Sequence, residues 1–184
     1  MQDALRANDI AAMRQVIADG ADINRKDRNG YPYLVMALMY RYYEIAKLLV
    51  ESGADVNLAG RGNMTAIGRA VSSGNVELVR MLIDRGADVN STVSPDEITP
   101  LHFACLSARM KHYTEEMRTS IVSMLIHAGA DPNARDEWES REFAAPHLPL
   151  RPPGYRSPVA RGRRRSGRNR RSGGEERLRR QNVA

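Results

Sequence analysis

Apolar residues in this chain recur three and four apart in four short runs, each followed by the same polar pentapeptide. The runs are Met13, Val16, Ile17; then Ile45, Leu48, Leu49; then Leu78, Val79, Leu82, Ile83; then Val122, Leu125, Ile126. Such spacing lays one apolar stripe along a helix. Behind the runs stand Gly20 to Asn24, Gly53 to Asn57, Gly86 to Asn90 and Gly129 to Asn133, all reading Gly-Ala-Asp-x-Asn. Glycine can take the left-handed conformation that ends a helix, and Asp and Asn supply side-chain oxygens for a tight turn. The first three glycines are 33 residues apart and the fourth lies 43 further on. A fixed period of this size marks a repeat array whose unit is helix, stop and turn.

Between the pentapeptides the polar positions predict a second helix per unit. Residues 2–18 read as a short helix and a longer one, broken near Asn8-Asp9. The polar stretch 25–30 ends in Asn29-Gly30, a strong turn signal. A helix resumes at Pro32, where proline suits a first helical turn, and runs to about Tyr40, with a second from about Tyr42 to Glu51. The next unit repeats the plan: a turn over 60–63, a helix over 65–73, a break at Gly74-Asn75 and a helix over 76–84. The third turn segment, 91–98, is one residue longer than its counterparts and precedes Thr99-Pro100-Leu101-His102-Phe103-Ala104.

That hexapeptide resembles the Thr-Pro-Leu-His-x-Ala signature of ankyrin repeats. With the 33-residue period and the Gly-Ala-Asp turns, residues 1 to about 140 are similar to that family. The resemblance implies an all-α ankyrin-repeat solenoid, in which stacked helix–turn–helix units carry short β-turn fingers. The chain departs from the pattern in three places. The hexapeptide erodes to Pro32-Tyr33-Leu34-Val35-Met36-Ala37 and Thr65-Ala66-Ile67-Gly68-Arg69-Ala70, and the first unit lacks its finger. The unit that begins at Thr99 carries nine extra residues, assigned to 107–119, which predict longer helices or a protruding loop. After the fourth pentapeptide no helix pair follows, so the Val122, Leu125, Ile126 helix is expected to lack a covering unit. Phe143, Ala144, Ala145, Leu148 and Leu150 are the apolar candidates for a cap. The domain reading is therefore 1–142 for the repeats and 143–184 for a Pro- and Arg-rich tail.

Charge divides the chain in the same way. The total of 28 basic and 22 acidic residues hides a body, 1–150, with 16 basic and 20 acidic side chains. Residues 151–184 hold 12 Arg and two Glu, with almost nothing apolar to bury. Such a segment cannot offset its ordering entropy and is expected to be disordered. The arginine run from Arg161 to Arg171 could contact phosphates weakly and without sequence preference, because no aromatic residues interleave it for base stacking. A soluble disordered end is the equally weighted reading of that run, and an out-of-frame or fusion-derived extension with no evolved role is a further alternative for the tail. One cysteine, Cys105, fits a reducing compartment. The first ten residues lack a secretory pattern and no run of about 18 apolar residues occurs, so the expected setting is cytoplasmic and away from membranes. A nuclear address is the alternative if the arginine run serves as one.

Candidate chemistry is sparse. His102 and Cys105, three apart, read as a signature histidine and a small core residue; the resemblance implies that the histidine ties neighbouring fingers and helices together. His112, His127 and His147 show no ligand spacing, and a metal site needs three or four ligands. The aspartates Asp22, Asp55, Asp88 and Asp131 recur too regularly for an acid–base pair. The chain is thus expected to be no enzyme and to need no cofactor or metal. The resemblance implies instead that a monomeric stack binds another protein on its concave face. In register, that face would present Arg28, Asn29, Tyr31, Met39 and Tyr40, then Arg61, Gly62, Met64, Ser72 and Ser73. From the third unit it would add Pro95, Asp96, Ile98, Leu106 and Ser107. Tyr, Met and Arg are the residue types enriched at interface centres. Trp138 is a further candidate, and Pro146 to Arg151 and Pro152 to Tyr155 match short proline-recognition patterns.

Overall fold

The computed structural model describes residues 1–93, 97–107 and 113–134. All of them fall in one unit of the chain, Met1–Ala145. The expected tail, the cap candidates and Trp138 lie outside the described residues.

Eight α-helices are formed among these residues, in four pairs: α1 (Gln2–Arg6) with α2 (Ile10–Ala18), α3 (Tyr33–Met39) with α4 (Tyr43–Glu51), α5 (Ala66–Ser73) with α6 (Val76–Asp84), and α7 (Pro100–Ser107) with α8 (Glu115–His127). Each described reversal within a pair uses a residue with positive φ. Between the two helices of a pair it is Asn8 (φ 51), Arg41 (φ 61) and Gly74 (φ 74), spaced by the 33-residue period. Glycine and asparagine adopt this conformation readily; arginine does so at a cost. The outer helices end at Gly20, Gly53, Gly86 and Gly129, with φ from 79 to 91.

Side-chain caps fix the helix starts. Asp9 Oδ1 accepts from Ala12 N at 2.9 Å, Asn75 Oδ1 from Leu78 N at 2.9 Å and Thr114 Oγ1 from Met117 N at 3.2 Å. Each such cap satisfies an amide that the helix cannot. Pro32 corrects one expectation: it is the N-cap of α3, with ψ 147, and the helix begins at Tyr33.

The pairs stack into two layers. Helices α1, α3, α5 and α7 pack in sequence as the inner layer, and α2, α4, α6 and α8 as the outer layer. The core runs through all four pairs from Leu5 to Leu125, with Leu38, Ile45, Leu49, Ile67, Leu78, Leu82 and Ile121 almost fully buried. Each such side chain contributes about 1.5–3 kcal/mol. On α8, the helix expected to lack a covering unit, Leu125 is buried and packs with the preceding helices, and Ile126 is its one exposed large apolar side chain, at 37%. The fourth unit's extra nine residues include four that lengthen α8 to 13 residues, against nine in α6.

Polar bonds register one pair on the next. In each pentapeptide the aspartate Oδ1 accepts from the asparagine N at 2.8–2.9 Å, closing the turn. The asparagine then reaches the next unit: Asn24, Asn57 and Asn90 accept through Oδ1 from Asp55 N, Asp88 N and Asp131 N at 2.7–2.8 Å. Asn57 and Asn90 also donate through Nδ2 to the carbonyls of Gly86 and Gly129 at 3.0 Å. Lys47 joins the outer helices by pairing with Glu77 (2.7 Å) and Glu44 (3.1 Å), both of which hold its ammonium pKa above the usual lysine value. The fingers are two isolated antiparallel bridges, Lys26 with Pro32 and Val93 with Ile98, and between them a 3₁₀ turn at Arg61–Asn63.

Candidate partner-binding surface

Charge on the inner layer is confined to α1, with Asp3 and Arg6, and to one residue beyond it. Of all the residues in α3, α5 and α7, only Arg69 is charged. It occupies the register of Met36 and Phe103 and lines a pocket of about 160 Å³ with Leu38, Met39, Arg41, Ser72 and Ser73. Its Nε is buried and has no hydrogen-bond partner. The hydroxyls of Ser72 and Ser73 donate to the carbonyls of Arg69 (3.0 Å) and Ala70 (2.9 Å), so the two guanidinium groups supply the polar character of the lining.

Beside the pocket the α3 terminus is exposed. Met39 is 38% and Tyr40 53% accessible, and the Tyr40 ring stands 5.6 Å from that of Tyr42 at a 38° tilt. Leu106, in the register of Met39 and Ser72, is also 38% exposed. Three of the four large apolar side chains exposed among the described residues therefore sit at the ends of inner helices, with Ile126 as the fourth.

The finger positions divide into exposed and structural. Arg28 and Arg61 face solvent, the Arg61 stem lying against the finger tip at Gly30. Asn29 is exposed, but its side chain donates to Asp27 Oδ2 at 3.1 Å within its own turn. Tyr31 is half-buried, and its ring lies so close to Gly60 that a Cβ there would come within 2.4 Å of Cδ1. It joins one finger to the next. Met64 is half-buried against the core, and Ile98 is half-buried with its carbonyl accepting from Val93 N at 3.0 Å. Gly62 forms the finger turn with φ 65. Asp96 and Pro95 lie outside the described residues, as does the side chain of Ser107.

Met39, Ser72 and Ser73 are thus brought together, while Tyr31, Met64 and Ile98 serve packing. Arg41 and Arg69 were missed by reading the sequence. Both carried a signal: Arg41 stands where the neighbouring units place Asn8 and Gly74, and Arg69 is the lone charge among the residues of α3, α5 and α7.

The other candidate chemistry is structural. His102 Nδ1 accepts from Thr99 N at 3.2 Å and lies 2.8 Å from Thr99 Oγ1, so among the described residues its ring bonds within its own helix start. Burial pushes the Cys105 thiol pKa up, partly opposed by Arg118, and a thiol that keeps its proton is a weak nucleophile. Among the described residues, no three His, Cys, Asp or Glu side chains could jointly hold a metal, and no helix is long and apolar enough to cross a membrane.

Residues 34–83 and 69–117 match the family model described as ankyrin repeats (many copies). Residues 34–117 are ankyrin repeats. The matched residues span α3 to α7, the part that carries the pocket and the exposed Met39, Tyr40 and Leu106. No curated protein matches the chain in sequence. Ankyrin repeats are in general protein–protein interaction modules.

Proposed function

We propose that this protein is an adaptor that binds a partner protein on the concave face formed by its inner helices and fingers. One observation carries the reading: Met39 and Leu106 are exposed in register, with Tyr40 beside Met39, at the ends of inner helices whose remaining apolar side chains are largely buried. Anchors held on a preformed stack lose little conformational freedom on binding, so more of the contact energy remains as affinity. In the same reading the protein acts as a cytoplasmic monomer, consistent with its lone thiol.

The test is an affinity capture with the full chain and a Tyr40→Ala/Leu106→Ser variant, at low and moderate salt. A partner held at both salts by the full chain and lost with the variant supports the adaptor. Equal capture by both baits refutes it. The second reading, nucleic-acid contact through the arginine run from Arg161 to Arg171, predicts instead a nucleic-acid load that ignores the variant and falls steeply with salt.

A further inference from the structure

We propose that the partner engages this face through an acidic segment, with one Asp or Glu carboxylate seated in the pocket between the α3 and α5 termini. The inference rests on the concave-face reading above and names the chemistry of its partner. The pocket is lined by Arg41, Arg69, Ser72, Ser73, Leu38 and Met39, with two guanidinium groups and no carboxylate. None of the described carboxylates lies within ion-pair distance of Arg69, whose side chain is half-withdrawn from water and whose Nε is buried without an acceptor. A cation so placed carries a desolvation cost that a bound anion relieves.

Arg41 supplies an independent argument. Its backbone has φ 61 at a joint where the equivalent residues are Asn8 and Gly74. A branched-Cβ-free but bulky arginine is costlier there than glycine, and it places a cation at the pocket wall. Local conformational cost at a ligand-facing position is the pattern of a binding site.

A protein segment fits better than a nucleic acid. The opening is flanked by Met39 and Tyr40, which suit an apolar neighbour of the acidic residue. The body, 1–150, holds 16 basic and 20 acidic residues, so around the pocket, apart from the arginine run, a long polyanion meets a net negative charge that a short acidic segment largely avoids.

Random short peptides displayed on phage would be selected on the full chain, then synthesised with each Asp or Glu kept or replaced by Asn or Gln. The expected peptides pair an acidic residue with an apolar one. Both the amide replacement and Arg69→Gln should weaken them about 10- to 100-fold, the loss of a charge-assisted hydrogen bond. Arg41→Gly should also weaken them, since it removes the second cation of the pocket wall. Amide forms that bind equally well overturn the proposal, as does an empty selection. Acidic peptides indifferent to Arg69→Gln overturn it in favour of the arginine-rich tail. Labelled oligothymidine that depends on Arg69 while no peptide does overturns it in favour of a nucleic acid. Non-acidic peptides lost with Tyr40→Ala but not Arg69→Gln overturn the acidic partner and leave the adaptor standing; peptides indifferent to both changes overturn both readings.

Discussion

Replacing Asn57 by alanine removes the central rung of the ladder that registers one repeat on the next. The side chain makes two inter-unit bonds, accepting from Asp88 N at 2.7 Å and donating to the Gly86 carbonyl at 3.0 Å. A net hydrogen bond is worth about 0.5–1.5 kcal/mol, and water can partly replace these two because Asn57 is exposed. The expected loss is therefore about 1–2 kcal/mol, or roughly 3–6 °C in melting temperature for an array of this size. Asn24 provides the internal control, since it makes only the bond to Asp55 N among the inter-unit pairs described. Asn24→Ala should cost about half as much. Asn57→Asp keeps the acceptor for Asp88 N but sets a carboxylate against the Gly86 carbonyl, so it should cost at least as much as alanine. Helical circular dichroism followed through thermal and urea melts reads all three. An Asn57→Ala chain that melts with the unmodified protein, or with the same deficit as Asn24→Ala, would refute the ladder's role in holding the stack.

Three further outcomes follow from close approaches and from one buried hydroxyl. Gly60→Ala sets a Cβ 2.4 Å from Tyr31 Cδ1 and should cost about 1–3 kcal/mol in urea unfolding. Tyr31→Ala in that background should recover part of the loss, and strict additivity of the two changes would sink the contact. Gly74→Ala meets both a left-handed backbone, φ 74, and the Tyr113 ring at 3.0 Å, so it should destabilise by at least about 1 kcal/mol; an unchanged urea midpoint would count against that packing. The Tyr113 hydroxyl is buried without a partner, so Tyr113→Phe should leave stability unchanged or raise it by about 1 kcal/mol. Burial, with Cys105 nearby, pushes the Tyr113 phenol up to about 12. An unfolded tyrosine ionises near about 10, so the stability associated with Tyr113 is intact below that pH and lost as pH rises through the folded value. An absorbance titration should show one late-ionising phenol that disappears in Tyr113→Phe; the same curve for both chains would contradict the assignment.

The sequence by itself determined the elements and the repeat. Apolar spacing of three and four, Gly20, Gly53, Gly86 and Gly129 at helix ends, and Asp–Asn turns are local devices whose partners lie within a few residues. The α6 bounds, the Asn8-Asp9 break and the aspartate turns were legible for that reason. Proline at 32 was placed one position too far into its helix because its fixed φ suits both N-cap and first turn, and only ψ separates them. The surface was less legible. Tyr31 looks like a free anchor until the neighbouring finger brings Gly60 beneath its ring, and the burial of Leu125 depends on the preceding helices packing against α8. The pentapeptide asparagines look like turn formers until the next unit's amide, some 31 residues away, arrives at Oδ1. The pocket is the clearest case. Met39 and Arg41 come from the end of one inner helix and its joint, Arg69, Ser72 and Ser73 from the next, and stacking alone makes them neighbours. Periodicity fixes which side of a helix faces the core; what two helices enclose between them depends on side chains a full repeat apart, and that was decided only when the units packed.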